Sequence, residues 1–297
     1  MAVRFKPWCQ LGAALALLCL GACWWVLHQL VPYALLQPPR HLTPPSAETA
    51  RIVEQAEELT WTARDGLQLR AHRYGLLNPI GRFVVVHGIS SCKEDQASLC
   101  RWLGELGFET IAVDLRAHGA SEGEYCTFGS REKDDLGALL DRYPSDLPTW
   151  IWGSSLGGAV ALQTLAFDER FAGGIVFSAF ATLEEIALDR QEQLSGLRWA
   201  WARDYWLSRC GVIAGIDPSA VAPELACRSI EQPVFLVHGT LDTQISVDCA
   251  HRNLEALTST DKVLMEVDGA GHNDLWERGG DELRTALEDF IAANIVR

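Results

Sequence analysis

Residues 149–167, TWIWGSSLGGAVALQTLAF, decide the fold. A short apolar run, TWIW, reads as a strand, and LGGAVALQTLAF reads as a helix. Between them lies Gly153-Ser154-Ser155-Leu156-Gly157, a Gly-x-Ser-x-Gly turn. A sharp strand-to-helix bend of this kind thrusts its central serine hydroxyl outward, and small flanking residues relieve the crowding. The free N–H groups and dipole of the helix start favour negative charge beside that hydroxyl. Gly157 and Gly158 are poor helix formers, so their place in the first turn makes sense where backbone must approach backbone. The same pattern recurs at Gly119-Ala120-Ser121-Glu122-Gly123, but Ser121 is succeeded by EGEYCTFGS, which is no helix. Glu122 and Glu124 would oppose an oxyanion there. Ser155 is therefore the candidate nucleophile, Ser121 a loop residue, and Ser154 the variable position of the motif.

Working outward, strand and helix patterns alternate. ELTWTARDGLQLRAHRYG holds two alternating runs around Asp65-Gly66, a strong hairpin signal. RFVVVHG is a β-branched run suited to a strand buried on both faces. KEDQASLCRWLGELGF reads as a helix, ETIAVDLRAHG as a strand and loop, and SREKDDLGALLDRYP as a helix stopped at Pro144. AGGIVFSAF, PVFLVHG, SVDCAHRNLEALT, KVLMEVDG and DELRTALEDFIAANI continue the series. The fold class is α/β: a mostly parallel central sheet with helices on both faces. Ligands of such sheets sit at the carboxyl ends of the strands. Residues 180–230 break the rhythm, with helical spacing, no convincing strand, and Trp199, Trp201, Tyr205 and Trp206 close together. These aromatics either pack a helical insertion onto the domain or form a lid lining an apolar pocket.

A serine nucleophile needs a base and an orienting acid. Of the eight histidines, His87 and His238 each end an apolar strand, where structural roles are expected, and His118 shares the loop of Ser121. His272 stands in VDGAGHNDLW, between the last strand and the last helix, and is the candidate base. PVFLVHGTLD places Asp242 just past the preceding strand as the candidate acid; Asp248 and Glu184 are poorer placed. The order Ser155, Asp242, His272 fits a Ser–acid–His arrangement. The N–H groups of Leu156 and Ile89, the latter after FVVVHG, are the candidate oxyanion donors.

The blocks VVVHGISS, VDLRAHGASEG, WGSSLGG, PVFLVHGTLD and GAGH run in order across residues 57–295. With them the chain resembles the α/β-hydrolase superfamily, in particular its membrane-anchored branch related to serine aminopeptidases and monoacylglycerol lipases. The resemblance implies an α/β-hydrolase fold with a short helical cap after the sixth core strand. It also implies that Asp114, Arg116 and His118 brace one another in a structural loop. HGISSC departs from the HGGG oxyanion motif of one lipase branch.

The 297-residue chain is 48% hydrophobic and carries a net charge of −14, which argues against a nucleic-acid partner. No CxxC pair, HExxH helix or EF-hand loop occurs, so neither a metal nor a cofactor is expected. Arg4 and Lys6 precede a stretch from Trp8 to Leu36 whose one ionisable residue is His28. About 20 residues cross a bilayer core of roughly 30 Å. The stretch exceeds the apolar core of a cleavable signal, and a lipoprotein signal ending at Cys23 is opposed by the apolar sequence beyond it. Residues 1–36 are therefore read as a single-pass membrane anchor, with the N-terminus cytoplasmic and the catalytic domain exported. Residues 37–55 form a Pro-rich linker and 56–297 the α/β domain. Cys92, Cys100, Cys126, Cys210, Cys227 and Cys249 form disulfides or remain buried thiols. The expected activity is hydrolysis of a carboxylic ester or thioester, through an acyl-enzyme on Ser155, of a small-molecule substrate with an apolar acyl group. The alternatives are an aminopeptidase-like serine peptidase, using Glu184, Glu185 or Glu192 to hold an amine, and a non-catalytic membrane-tethered binding protein.

Overall fold

The computed structural model describes residues 7–40 and 46–295. The strands are β1 (Glu57–Thr62), β2 (Gln68–Tyr74), β3 (Gly81–Val86), β4 (Phe108–Asp114), β5 (Thr149–Ser154), β6 (Phe171–Phe177), β7 (Val234–Gly239) and β8 (Lys262–Val267). They form one sheet in the order β1-β2-β4-β3-β5-β6-β7-β8. β2 pairs antiparallel with β1 and with β4, and every later neighbour is parallel. The helices are α1 (Pro7–Trp25), α2 (Val31–Leu36), α3 (Ala47–Val53), α4 (Ala97–Glu105), α5 (Glu132–Arg142), α6 (Leu156–Phe167), α7 (Leu183–Ser195), α8 (Ala200–Ala214), α9 (Pro223–Cys227), α10 (Asp248–Ala256) and α11 (Leu275–Ile295).

Side chains alternate across a strand, so the continuous apolar strands feed two cores. Phe83, Val85, Trp150 and Trp152 pack with Leu103 of α4 and with Leu283, Leu287 and Phe290 of α11. Val84, Val86 and Ile151 face the other way, onto Leu139 of α5 and Val160 and Leu165 of α6. α11 begins earlier than DELRTALEDFIAANI predicts, because a first turn from Leu275 precedes a kink at Gly280, where φ is 48°. That extra turn carries Trp276, whose ring stacks 5.9 Å from Trp152.

Residues 178–233 contain α7, α8, α9 and a 3-10 turn at Pro218–Ala220, with no strand. The insertion falls between β6 and β7. Of the four aromatics, Trp199 and Trp201 fit neither sequence reading, being 48% and 62% exposed, whereas Tyr205 and Trp206 are half-buried in the insertion.

The N-terminal segment is more integrated than an anchor and linker require. α1 leads through a π-type turn at Val26–Leu30 directly into α2. Pro32 has no N–H for the carbonyl four residues back, which accounts for a widened turn at this point. α2 packs against α8, burying Leu36 with Cys210 and Ala214. Arg40 donates to the carbonyls of Gly119 (2.9 Å), Ser121 (2.6 Å) and Gly123 (2.9 Å). Within the stretch read as a linker, Ser46 caps α3 by accepting from the Thr49 N–H at 3.1 Å. Arg4, Lys6 and residues 41–45 lie outside the described residues. The six domain cysteines are free and buried, and burial pushes the Cys100 and Cys227 thiols up to about 12.

The loop of Ser121 is structural, but not by the expected bracing. Asp114 pairs with Lys93 (2.9 Å) and accepts from the Ala120 N–H (2.8 Å). Arg116 instead grips Asp135 through two bonds and Asp65 through a third. His118 Nδ1 donates to the Arg116 carbonyl. Of the three, His118 and Arg116 are thus joined through the Arg116 backbone, while the Asp114 and Arg116 side chains turn to opposite charges from other elements. Buried ions need such partners. Ser121 is buried, donates to the Asp114 carbonyl and accepts from the Arg70 N–H.

His87 is fixed as a neutral ring: Nδ1 donates to the Gly88 carbonyl (2.7 Å) and Nε2 accepts from the Leu115 N–H (3.1 Å). Burial, with His118 beside it, lowers its pKa to about 4. The unfolded ring protonates near 6.5, so between these values the unfolded chain binds the extra proton. Stability is therefore full above about pH 6.5 and falls as the pH drops toward 4. Urea midpoints measured from pH 7.5 to 4.5 are expected to decline through that window, and to decline less for His87→Gln. A second expectation concerns the turn before α6. A Cβ on Gly157 would lie 2.2 Å from the Val86 carbonyl oxygen, and Gly157→Ala is expected to destabilise by about 1–3 kcal/mol, read as a lower guanidinium midpoint.

Candidate active site

The carboxyl ends of β3, β5, β7 and β8 converge on Ser155. Ser155 occupies the residue between β5 and α6 with φ 55° and ψ −117°, a left-handed conformation that only a tightly constrained turn sustains. The constraint is backbone packing. A Cβ on Gly153 would meet the Gly157 carbonyl oxygen at 2.1 Å, so only glycine lets the turn close. The Ser155 N–H is held by the Phe177 carbonyl at 2.8 Å.

The structure brings Ser155, His272 and Asp242 together from loops 117 and 30 residues apart in sequence. His272 Nδ1 lies 2.6 Å from Asp242 Oδ2, and His272 Nε2 lies 3.0 Å from Ser155 Oγ. A carboxylate only accepts, so Nδ1 carries the proton and Nε2 presents its lone pair to the serine hydroxyl. Asp242 Oδ1 accepts from the N–H groups of Gln244 (2.8 Å) and Ile245 (3.0 Å). Burial alone would raise the Asp242 pKa, but hydrogen bonds from His238, His272 and the Ile245 N–H outweigh it and hold the carboxyl well below the usual range. The carboxyl is therefore ionised at neutral pH.

His238 has a defined place in this set. Its Nε2 donates to the Ile245 carbonyl at 2.9 Å and lies 3.4 Å from Asp242 Oδ2. It thereby fixes both ends of the turn that carries Asp242. Its position at the end of β7 was the sequence signal for a structural role; the partner came only from the fold. Asp248 is the first residue of α10 and Glu184 belongs to the first turn of α7, and neither is bonded to His272.

The N–H of Leu156, at the start of α6, and that of Ile89 donate to no acceptor among the described residues. The Gly88 backbone runs alongside: a Cβ there would lie 3.5 Å from Ser155 Cβ. Among the described residues, no group of three or more His, Cys, Asp or Glu side chains is placed to hold a metal.

Ser155 and His272 open onto a cavity of about 1170 Å³, to which Ile89 and Leu156 also contribute. Its aromatic wall comes from Trp102, Trp152, Phe177 and Trp276, not from the cap tryptophans. The cap contributes aliphatic side chains, including Leu183, Ile186, Leu194 and Leu207, together with Arg190. Glu185 is tied to Arg252 and Glu192 to Arg198, and no cap carboxylate reaches the cavity among the described residues. A further stretch of wall escaped sequence reasoning: Leu30, Val31, Ala34 and Leu35 of the N-terminal helix line the cavity too. The unbroken apolar run to Leu36 was a signal for that helix, but not for what its end touches.

Residues 77–222 match the family model described as serine aminopeptidase, S33. The chain is 26% identical over 247 residues to the Escherichia coli protein called "Uncharacterized protein YfhR", spanning 80% of each chain. Caffeoylshikimate esterase of Arabidopsis thaliana is 24% identical over 65% of this chain and 70% of its own. Among solved structures, the Pyrococcus furiosus esterase Pf2001 superposes with a TM-score of 0.71 at 22% identity, over 88% of this chain and 98% of that one. A mostly parallel sheet in this order, with helices on both faces and solved neighbours that cover most of the chain, gives it the α/β-hydrolase fold, and over residues 77–222 it is similar to the serine aminopeptidase S33 family.

Proposed function

We propose that the protein is a serine hydrolase that cleaves a carboxylic ester or thioester of an apolar acyl group. The observation that carries this reading is the unbroken hydrogen-bonded line Asp242–His272–Ser155 at the mouth of a largely apolar cavity. Ser155 Oγ bonds to the acyl carbon as its proton passes to His272 Nε2, and the carbonyl electron pair moves onto oxygen. The N–H groups of Ile89 and Leu156 receive that oxyanion. The intermediate collapses, the C–O or C–S bond breaks, and the leaving group takes the proton from His272. A water then attacks the acyl-enzyme by the same route, giving back its proton through His272 and freeing the acid and Ser155. Asp242 stays ionised throughout and stabilises the imidazolium.

The cavity argues against an aminopeptidase. An amine substrate needs an acidic partner from the cap, whereas Glu185 and Glu192 are already paired, Glu184 does not line the cavity, and the charged group the cap offers is Arg190. The helix Ala14–Leu36 is long and apolar enough to cross a membrane, and with Arg4 and Lys6 before it we read it as an anchor with the catalytic domain exported.

A fluorophosphonate probe is expected to label the wild type and not Ser155→Ala, whose ester turnover falls about a million-fold. A wild type that resists labelling would favour the non-catalytic alternative. Asp242→Asn, which keeps the shape but loses the charge and the fixed tautomer, is expected to lower kcat about 10⁴-fold. Against a panel of p-nitrophenyl esters and aminoacyl amides, esters are expected to be preferred, and preference for the amides would return the peptidase reading.

A further inference from the structure

The N-terminal helix does more than end near the catalytic domain. Its last turns run beside α8 in parallel register: His28 Nδ1 meets the Tyr205 hydroxyl, Pro32 O meets Cys210 Sγ at 3.7 Å, and Leu36 packs on Ala214. Each pair is offset by nearly the same number of residues. Extending the register back one turn sets Trp201 level with Trp24, which stacks on His28 at 4.5 Å. Trp24, Trp25, Trp199 and Trp201 are all about half exposed or more. Tryptophans at one level are the mark of a membrane–water boundary.

The helix is long enough to allow a boundary there. Residues 7–36 make a helix of about 45 Å at about 1.5 Å per residue, against a hydrocarbon thickness of roughly 30 Å. With the boundary set at the level of Trp24 and Trp25, the turns before it lie in the bilayer and the turns from Val26 to Leu36 stand clear of it. Those turns hold Leu30, Val31, Ala34 and Leu35, which line the cavity of Ser155 roughly 6 to 14 Å beyond the boundary. Leu30 of the helix and Leu194 of the cap both line the cavity and are 52% and 82% exposed, so they mark its rim, on the side of the anchor. The join is fixed, since the Cys126 N–H donates to the Leu36 carbonyl at 2.8 Å and Arg40 is held by three loop carbonyls.

We propose that residues 30–35 of the N-terminal helix are the wall of the acyl-binding site, and that its mouth lies at the bilayer surface, admitting the chain of a membrane-resident long-chain acyl ester. The anchor is then a specificity element of the enzyme as well as its tether. This rests on the ester-hydrolase and anchored readings above, and adds to them where the chain of the substrate lies.

The test uses the full chain in phosphatidylcholine vesicles, with p-nitrophenyl acetate and p-nitrophenyl laurate. Ala34→Trp fills the wall, and is expected to lower kcat/KM for laurate about tenfold, the worth of roughly two buried methylenes. Acetate turnover falls less than laurate turnover, so the laurate-to-acetate ratio drops, and fluorophosphonate labelling of Ser155 persists as the check that the variant is folded. Ala16→Trp, in the same helix but away from the cavity, alters neither ester. Where the tryptophan cannot be housed and labelling is lost, Leu35→Ala replaces it, and the laurate-to-acetate ratio again falls. An unchanged ratio in the variant that labels, or equal loss of both esters, overturns the proposal. A wild type that labels but cleaves neither ester would instead remove the ester reading beneath it. For the mouth, Leu194→Cys carrying a fluorophore, with Cys9, Cys19 and Cys23 replaced by Ala, is expected to be quenched by doxyl-labelled lipid. The same label at Leu77, 89% exposed on the body of the domain, is not. Equal accessibility of the two positions would overturn the placement of the mouth.

Discussion

The site depends on one close approach of backbone to backbone. The turn between β5 and α6 can hold Ser155 at a positive φ because Gly153 lies against the carbonyl of Gly157, and Gly157 against that of Val86. Any side chain at either glycine would push α6 off the sheet and swing the hydroxyl away from His272. The same contact seats the N-terminus of α6 beneath the hydroxyl, where its free N–H groups face outward. Geometry and electrostatics at the serine thus have a common origin in the absence of two Cβ atoms.

Around that turn, the loops at the carboxyl ends of the strands are set by buried polar groups that each have a partner. Lys93 and Asp114 tie the loop after β3 to the loop after β4. Arg116 ties the latter to α5 through Asp135. His238 and two backbone N–H groups hold Asp242, so the carboxylate is fixed in its orientation toward His272. Such preorganisation lets a site stabilise developing charge without reorganising at the moment of reaction. An unpaired member would leave a buried charge or donor uncompensated, which is why so many polar residues beside an apolar sheet are compatible with a stable domain.

The cavity gains its character from elements far apart in the chain. Its floor is aromatic, from the sheet and the first turn of α11, its roof is aliphatic, from the cap, and part of its side belongs to the N-terminal helix. Apolar surface of this kind rewards a substrate with methylenes to bury. The cap adds Arg190 to the lining, with Glu185 and Glu192 held in ion pairs outside it, and the carboxylates of the lining, Asp95 and Glu105, come from the body of the domain.

Much of this was legible in the sequence because it is local. Two-residue and helical periodicities announced the strands and the helices that cross between them, and Asp65-Gly66 announced the hairpin. The two Gly-x-Ser-x-Gly matches were told apart by their neighbours, a helical run after Ser155 and a polar loop after Ser121. Chain order and loop position were enough to single out Asp242 and His272 as well. What the sequence left open depends on contacts between distant residues. Asp114 and Arg116 took partners in other elements, the first turn of α11 brought Trp276 into the cavity wall, and Trp199 and Trp201 of the cap turned outward. The apolar stretch up to Leu36 determined that the N-terminal helix could cross a bilayer; that its last turns close a cavity was decided only when the fold laid them along α8. Periodicity records which face of an element avoids water, and it carries no record of the surface that comes to cover that face.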